Sequence, residues 1–425
     1  MARPRRAMPI TVAQGRCLTN APLEPTLSIM EIGDKSAGKS ILVVAGEVSG
    51  DMHAAALVRA LRARRPDITV FGIGGDALRA AGMEILVDAS GMAVLGLTDV
   101  LLKYRFFRKT FNDLLAVARE RRPDVILLVD YPGFNLRLAA RAHALGLKVI
   151  YYICPQVWAW NHARVPRMAR IVDRLISIFP FESDVFRGTG LPVDFVGHPL
   201  VTEARLALTE PLAELPWQGG DPCLAILPGS RYHEVKRILP AMWSAAALLE
   251  RQFPGAGFIV AAPSEQVAGW IRSVLAGLNG GPSRWALVVG QTRQVLRQAR
   301  GAMVTSGTAT IETALLRCPM VVVYKTSWIT YGLGRMVIRV PFLGMVNIVA
   351  GEALCPEFIQ HRATPRALAA GLAPVLAEGS ARTKMLVGLD RVIRALGEPG
   401  AEERAAEVVW KELNRSSKVS DKSLH

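Results

Sequence analysis

The chain has 425 residues, 51% of them apolar, and a formal net charge of +15. That length can bury more than one core and sets an expectation of two domains. No run of about eighteen uncharged apolar residues is present to span a bilayer, and the basic opening "MARPRRAMPITVAQGRCLTN" lacks the apolar centre of a secretory signal. The excess of Lys and Arg attracts anionic partners, whether nucleic acid, an anionic membrane or phosphorylated substrates. The basic residues are spread along helices rather than interleaved with aromatics, and no nucleic-acid motif appears, so nucleic acid is not an expected partner. Cys17, Cys154, Cys223, Cys318 and Cys355 are scattered, odd in number and form no C-x-x-C pair, which indicates reduced thiols rather than a disulfide framework or a zinc site. No metal site is expected.

Residues 1–39 form a polar leader, expected to be disordered. It ends in a literal match to the phosphate-loop pattern, with Gly33, Gly38, Lys39 and Ser40 in place. A working phosphate loop follows a strand and opens a helix. Here a strand follows instead, at residues 41–45, so Lys39 falls at the pole of a parallel sheet that does not bind ligands. The match reads as coincidence.

From there strand-like runs alternate with amphipathic helical stretches, the mark of parallel βαβ units. Strands read at 41–45, 68–73, 125–129, 148–153, 175–178 and 194–196. Past the first strand lie Glu47, Ser49, Gly50 and Asp51, with Gly50 suited to a tight turn and Asp51 to a helix cap or a site; His53 is close by. Residues 92–111 mix large apolar side chains with Lys103, Arg105, Arg108 and Lys109, which suits a membrane-lying segment and a core helix equally. Asp130 stands at the exit of "VILLV", facing a cleft as a base or capping the next helix, and Asn135 reads as a local turn or helix-start residue. Trp158 and Trp160 suit sugar stacking or a buried pair.

The alternation breaks near "EPLAELPWQGGDP" and restarts, with strands at 223–227, 257–262, 286–290, 302–305 and 319–324. Past the first of these, Pro228, Gly229 and Ser230 make a turn, and Arg231 beside a helix start offers a phosphate site. Ser306, Gly307 and Thr308 repeat that arrangement, with Glu312 one helical turn on, either accepting the two hydroxyls of a ribose or serving as an ordinary first-turn acid. The expected divisions are a first domain at 40–200, a linker at 201–222, a second domain at 223–390 and a C-terminal helix and tail at 391–425. Two doubly wound halves joined this way face each other across a central cleft.

Taken in order, "GEVSGDMHAAAL", "DYPGFN", "PQVWAW", "FPFE", "FVGHPL", "LPGSRYHEV", "SGTATIETAL", "PMVVVYK" and "NIVAGEALCPEFIQ" resemble the lipid-A-disaccharide synthases, inverting glycosyltransferases of lipid A biosynthesis, over residues 41 to about 375. The resemblance implies a GT-B architecture of two Rossmann-like domains. It also implies transfer of 2,3-diacylglucosamine from UDP to the 6-hydroxyl of 2,3-diacylglucosamine 1-phosphate, with no cofactor, on an anionic membrane surface at the cytoplasmic face of the inner membrane. By the same resemblance Ser230, Arg231, Glu312 and Asn347 hold UDP, while Glu47 and Asp130 face the acceptor and the anomeric centre. Asp130 is the expected base, with Glu47 and His53 in reserve. Val48 stands where the family has Pro or Ala, and Val346 stands before Asn347 where Pro is usual. The leader has no family counterpart, which leaves Met1 and Met30 both as starts. The competing expectations are a UDP-N-acetylglucosamine 2-epimerase of the same architecture and a basic, non-catalytic binder.

Overall fold

Ser40–Ala45 (β1) is a run of Ile, Leu and Val, side chains that favour an extended backbone, and residues 41–45 are at most 1% exposed. Such a run is expected where helices cover both faces of a parallel sheet. A computed structural model describes residues 38–92, 104–160, 162–328, 331–332 and 340–415. After β1 come Thr69–Gly74 (β2), Glu84–Asp88 (β3), Val125–Val129 (β4), Val149–Tyr152 (β5), Arg174–Ser177 (β6) and Val193–Phe195 (β7). They form one parallel sheet in the order β3-β2-β1-β4-β5-β6-β7. The second sheet holds Cys223–Leu227 (β8), Gly257–Ala262 (β9), Trp285–Val289 (β10), Gly301–Thr305 (β11), Met320–Tyr324 (β12) and Glu357–Ile359 (β13), again all parallel, in the order β10-β9-β8-β11-β12-β13.

Strands β3 and β13 have no counterpart in the sequence reading. Both are edge strands, short and only partly buried, and each begins on a Glu, so neither shows the continuous apolar run of the central strands. The helix after β1 spans Val48–Arg64, which places Gly50 in its first turn rather than in a preceding tight turn.

Of the segment 92–111, residues 93–103 lie outside the described ones. The rest begins the helix Tyr104–Arg121, which buries Thr110, Leu114, Leu115 and Ala118. Phe106, Phe107 and Phe111 pack on the core of the first sheet, Phe111 edge-on to Phe134 with 5.6 Å between ring centres. This part of the segment is a core helix with a basic outer face.

The chain passes between the two sheets twice. On the way out, Val201 and Ala204 of the helix Leu200–Thr209 join the core of the second sheet. On the way back, the helix Ser380–Ala395 buries Met385, Leu389 and Val392 in that same core, and the helix Ala401–Asn414 then inserts Ala401, Ala405, Val409 and Leu413 into the core of the first sheet. The two passages are bonded to each other. The His198 N–H donates to the Leu396 carbonyl at 2.8 Å, Arg404 Nε to the Val196 carbonyl at 2.8 Å, and the Gly400 N–H to Thr202 Oγ1 at 3.0 Å.

Candidate active site

In each sheet the chain runs outward on one side and then returns to begin the other. The reversal falls between β1 and β4 in the first sheet and between β8 and β11 in the second. Crevices at such reversals, beyond the carboxyl ends of the strands, are where open α/β sheets bind ligands. The four loops concerned carry Glu47, Asp130, Arg231 and Thr308. A cavity of about 700 Å³ opens there. From the first sheet it takes Ser49, His53, Asp130 and Trp158, and from the second Ser230, Arg231, Ser306, Gly307, Thr308 and Glu312.

Asp130 sits at the end of β4 with φ of 44°, followed by Tyr131 at 49°, so both residues hold the left-handed conformation that non-glycine residues seldom adopt. The surroundings enforce it. The Tyr151 hydroxyl donates to the Asp130 carbonyl at 2.5 Å and Asn135 Nδ2 donates to it at 2.8 Å, reaching the Val129 carbonyl as well at 3.2 Å. Gly46 leaves room for the Tyr131 ring, since a Cβ there would lie 2.6 Å from a ring carbon. Asn135, fully buried, is thus the brace of the Asp130 loop. Burial pushes the Asp130 carboxyl up to about 6, the charge of Glu47 adds to the rise, and the Tyr131 N–H opposes it. The helix that follows, Pro132–Ala144, has Tyr131 at its N-cap and no side-chain cap, so Asp130 does not cap it. Glu47 occupies the N-cap of the helix Val48–Arg64 but makes no capping bond and is exposed.

His53 lines the cleft half-buried, and burial lowers its pKa against the pull of Glu203. Asp51 is not part of the cleft. It caps the neighbouring helix Asp76–Ala80, accepting from the Gly75, Ala77 and Leu78 N–H groups at 2.6, 2.9 and 3.3 Å.

On the second sheet, Arg231 is the N-cap residue of the helix Tyr232–Gln252. Its side chain is 81% exposed and pairs with Glu234 at 3.2 Å. Glu234 also accepts from the Ser230 N–H at 3.2 Å, and it fits beneath Gly229, whose φ of 113° and lack of Cβ let the carboxylate approach. Gly307 is the N-cap residue of the helix Thr308–Leu315, whose first two residues, Thr308 and Ala309, line the cleft with their N–H groups outside the helix's own bonding, while the Thr310 N–H donates to the Gly307 carbonyl at 3.0 Å. The Ser306 hydroxyl donates to the Leu343 carbonyl at 2.8 Å and so ties down the loop. Glu312 lines the cleft with Oε1 held by Arg293 Nε at 2.7 Å, and Arg293 also pairs with Glu203.

One sequence expectation meets a different placement. Asn347 does not line the cleft. It is fully buried, its amide donates to the Cys355 carbonyl and Glu357 Oε1 at 2.8 Å each, and its Oδ1 accepts from the Cys355 N–H at 2.8 Å. Glu357 in turn accepts from the Leu343 and Gly344 N–H groups at 2.9 Å each, so Asn347 braces the strip of chain that anchors Ser306. Lys39 lies, as expected, at the end of β1 opposite the cleft, paired with Asp124 at 3.0 Å, and Gly33 lies outside the described residues.

The cleft also holds residues that the sequence reading did not single out. Glu182 is buried, accepts from Trp158 Nε1 at 3.2 Å and the Phe179 N–H at 3.3 Å, and is pushed up to about 8 by burial, so it carries its proton at neutral pH. His198 Nδ1 accepts from the Leu200 N–H at 3.2 Å, and burial, aided by His53, pushes it down to about 3, so it stays neutral. Both belong to motifs that carry the family resemblance, "FPFE" and "FVGHPL". Among the described residues no three His, Cys, Asp or Glu side chains gather to share a metal ion.

Two facing doubly wound sheets, with a single cleft drawn from both reversal points, define a GT-B type protein. Solved structures of like fold include the glycotransferase of kitacinnamycin (TM-score 0.58, 18% identity, 88% of this chain and 99% of that one). Another is the UDP-GlcNAc 2-epimerase of Neisseria meningitidis bound to UDP-GlcNAc (TM-score 0.55, 11% identity, 89% of this chain and 100% of that one). At such identities the likeness is one of fold alone, and this is all that supports the epimerase expectation. The lipid-A-disaccharide synthetase family profile matches residues 41–411. The lipid-A-disaccharide synthase of Myxococcus xanthus (strain DK1622) is 43% identical over 371 residues, covering 87% of this chain and 96% of that protein. That of Geobacter metallireducens is 39% identical over 381 residues, covering 89% and 98%. The chain belongs to the lipid-A-disaccharide synthase family, and so to the glycosyltransferases.

Proposed function

We propose that the chain transfers 2,3-diacylglucosamine from UDP to the 6-hydroxyl of 2,3-diacylglucosamine 1-phosphate, with inversion to a β-1,6 link, releasing UDP. The observation that carries this reading is the shared cleft, in which Asp130 from one sheet faces Arg231, Thr308 and Glu312 from the other. In the transfer, the acceptor oxygen attacks the anomeric carbon of the donor, the bond from that carbon to the UDP oxygen breaks, and the hydroxyl proton passes to Asp130. A carboxyl raised to about 6 is charged at neutral pH yet basic enough to take a proton from a hydroxyl as it attacks. UDP leaves with the electron pair, and its added charge meets the Arg231 guanidinium and the amides opening the helix Thr308–Leu315. Glu312, aligned by Arg293, accepts from the ribose hydroxyls.

No helix among the described residues is long and apolar enough to cross a membrane. The substrates are lipids, and the net charge of +15 suits contact with an anionic bilayer at the cytoplasmic face of the inner membrane. The test is purified full-length chain with both acyl sugars, scored for UDP release and for a β-linked disaccharide by NMR. Release of UDP from UDP-N-acetylglucosamine alone, or its epimerisation, with no disaccharide from the acyl sugars, would overturn the reading.

A further inference from the structure

A second cavity, of about 180 Å³, lies beside the cleft, between the helices Pro132–Ala144 and Arg164–Ile171. Arg137, Arg164 and Arg167 line it over an apolar wall of Pro132, Leu136 and Met168, and no acidic side chain belongs to the lining. Arg137 and Arg167 make no ion pair with a carboxylate among the described residues. The guanidinium groups of Arg137 and Arg167 about one hollow, with no carboxylate paired to either, repel one another unless an anion joins them, and their planar forks match the oxygens of a phosphate. Arg164 and Arg167, three positions apart, stand on one face of their helix.

The pocket is coupled to the reacting end of the cleft. Pro132 lines both cavities and follows Asp130 by two residues. Arg164 is near enough to the Tyr151 hydroxyl, the donor to the Asp130 carbonyl, to act on it electrostatically. From Pro132 to Arg137 the helix rises about 7.5 Å, comparable with the width of one sugar ring. A sugar with its hydroxyl at Asp130 can therefore present a phosphate on its far side to the arginines.

We propose that this pocket binds the phosphomonoester of the acceptor sugar and so selects phosphorylated acceptors. The proposal rests on the transferase reading above for the identity of that sugar. The bland alternative, a basic patch for bilayer headgroups, draws on the same phosphate chemistry and is separated by the test.

The parent chain and the double variant Arg137→Ala/Arg167→Ala are titrated calorimetrically, in detergent micelles, with 2,3-diacylglucosamine 1-phosphate and with its dephosphorylated counterpart. Each charge-assisted contact is worth about tenfold in affinity at an exposed site. The double variant should bind the phosphorylated sugar about a hundredfold more weakly and the dephosphorylated one as the parent does. The KM for UDP-sugar and sedimentation with vesicles of phosphatidylglycerol in phosphatidylcholine should stay at parental values. Both arginines are exposed, and Arg137→Gln/Arg167→Gln, which keeps the aliphatic stems, serves if the alanine variant fails to fold. Equal losses for the two sugars, no loss for either, or loss of vesicle binding with the phosphate preference intact would each overturn the proposal. A parent that shows the phosphate preference, and loses it with the two arginines, but forms no disaccharide refutes the transferase reading and leaves the phosphate pocket standing.

Discussion

Replacing Asp130 by Asn separates shape from basicity at the point where the two matter most. Asn tolerates left-handed backbone at least as well as Asp, so a φ of 44° does not oppose the change, and an amide oxygen can keep the Tyr131 N–H contact. Loss of the base lowers turnover by about 10² to 10⁴, equivalent to about 2.7–5.4 kcal/mol on the barrier. Stability moves the other way. The folded protein raises this carboxyl from 3.8 to about 6, roughly two units at about 1.4 kcal/mol each, so holding it charged costs the fold up to about 3 kcal/mol. Because the folded state binds this proton more tightly than the unfolded state, the proton's contribution to stability is full below about pH 4 and is lost as pH rises through about 6. Asn carries no such burden. The variant should melt above the parent at pH 7.5, and the gap should close below about pH 4. In the parent, kcat/KM should fall as pH drops through about 6, Asp130→Asn should flatten that limb, and Glu47→Gln, by removing a like charge, should move it to lower pH. Near-parental turnover in Asp130→Asn with the acid limb in place would refute the reasoning. If Glu47→Gln or His53→Ala then abolished turnover, the base would be that residue.

Arg231→Ala should weaken UDP binding by about ten- to hundredfold through lost charge-assisted bonds; calorimetry finding parental affinity would remove Arg231 from the site. Asn135→Ala strips a donor from the buried carbonyls of Val129 and Asp130 and should cost about 1–3 kcal/mol in urea unfolding. It should also lower kcat more than it changes the KM for UDP-sugar, and a parental kcat would mean that the loop holds without this brace. Lys39→Ala breaks a partly exposed pair with Asp124, worth about 0–1 kcal/mol, and should leave turnover within about twofold. A hundredfold loss in a folded protein would revive the phosphate-loop reading.

The sequence was legible where physics is local. Unbroken apolar runs marked the central strands, and the residues directly after them marked the loops of the cleft, since a parallel sheet can bind only at those ends. Edge strands β3 and β13 escaped because half-exposed strands dilute their pattern with charge. Asp51 and Asn347 show the harder limit. Each is a polar residue beside a strand end or in a family motif, and only the fold reveals that its hydrogen bonds are spent within the protein, on Gly75 to Leu78 and on Cys355 and Glu357. The Trp158 to Glu182 bond joins residues 24 apart, and the Asp130 brace by Tyr151 joins residues 21 apart, separations at which no local pattern speaks.

The return of the helix Ala401–Asn414 to the first sheet has a consequence for synthesis. Leu57 and Leu61 share a core with Val409 and Leu413, so the first half to leave the ribosome is the last to be finished. At about 5–20 residues per second, the 200-odd residues between β7 and this helix take roughly 10–40 s to emerge, while one face of the first sheet, covered in part by the helix Val48–Arg64, waits for the rest of its cover and the second sheet folds. A chain that stops after Gly400 should therefore reach the soluble fraction poorly, whatever the state of its second half, and co-expressing residues 401–415 as a separate peptide should restore part of it.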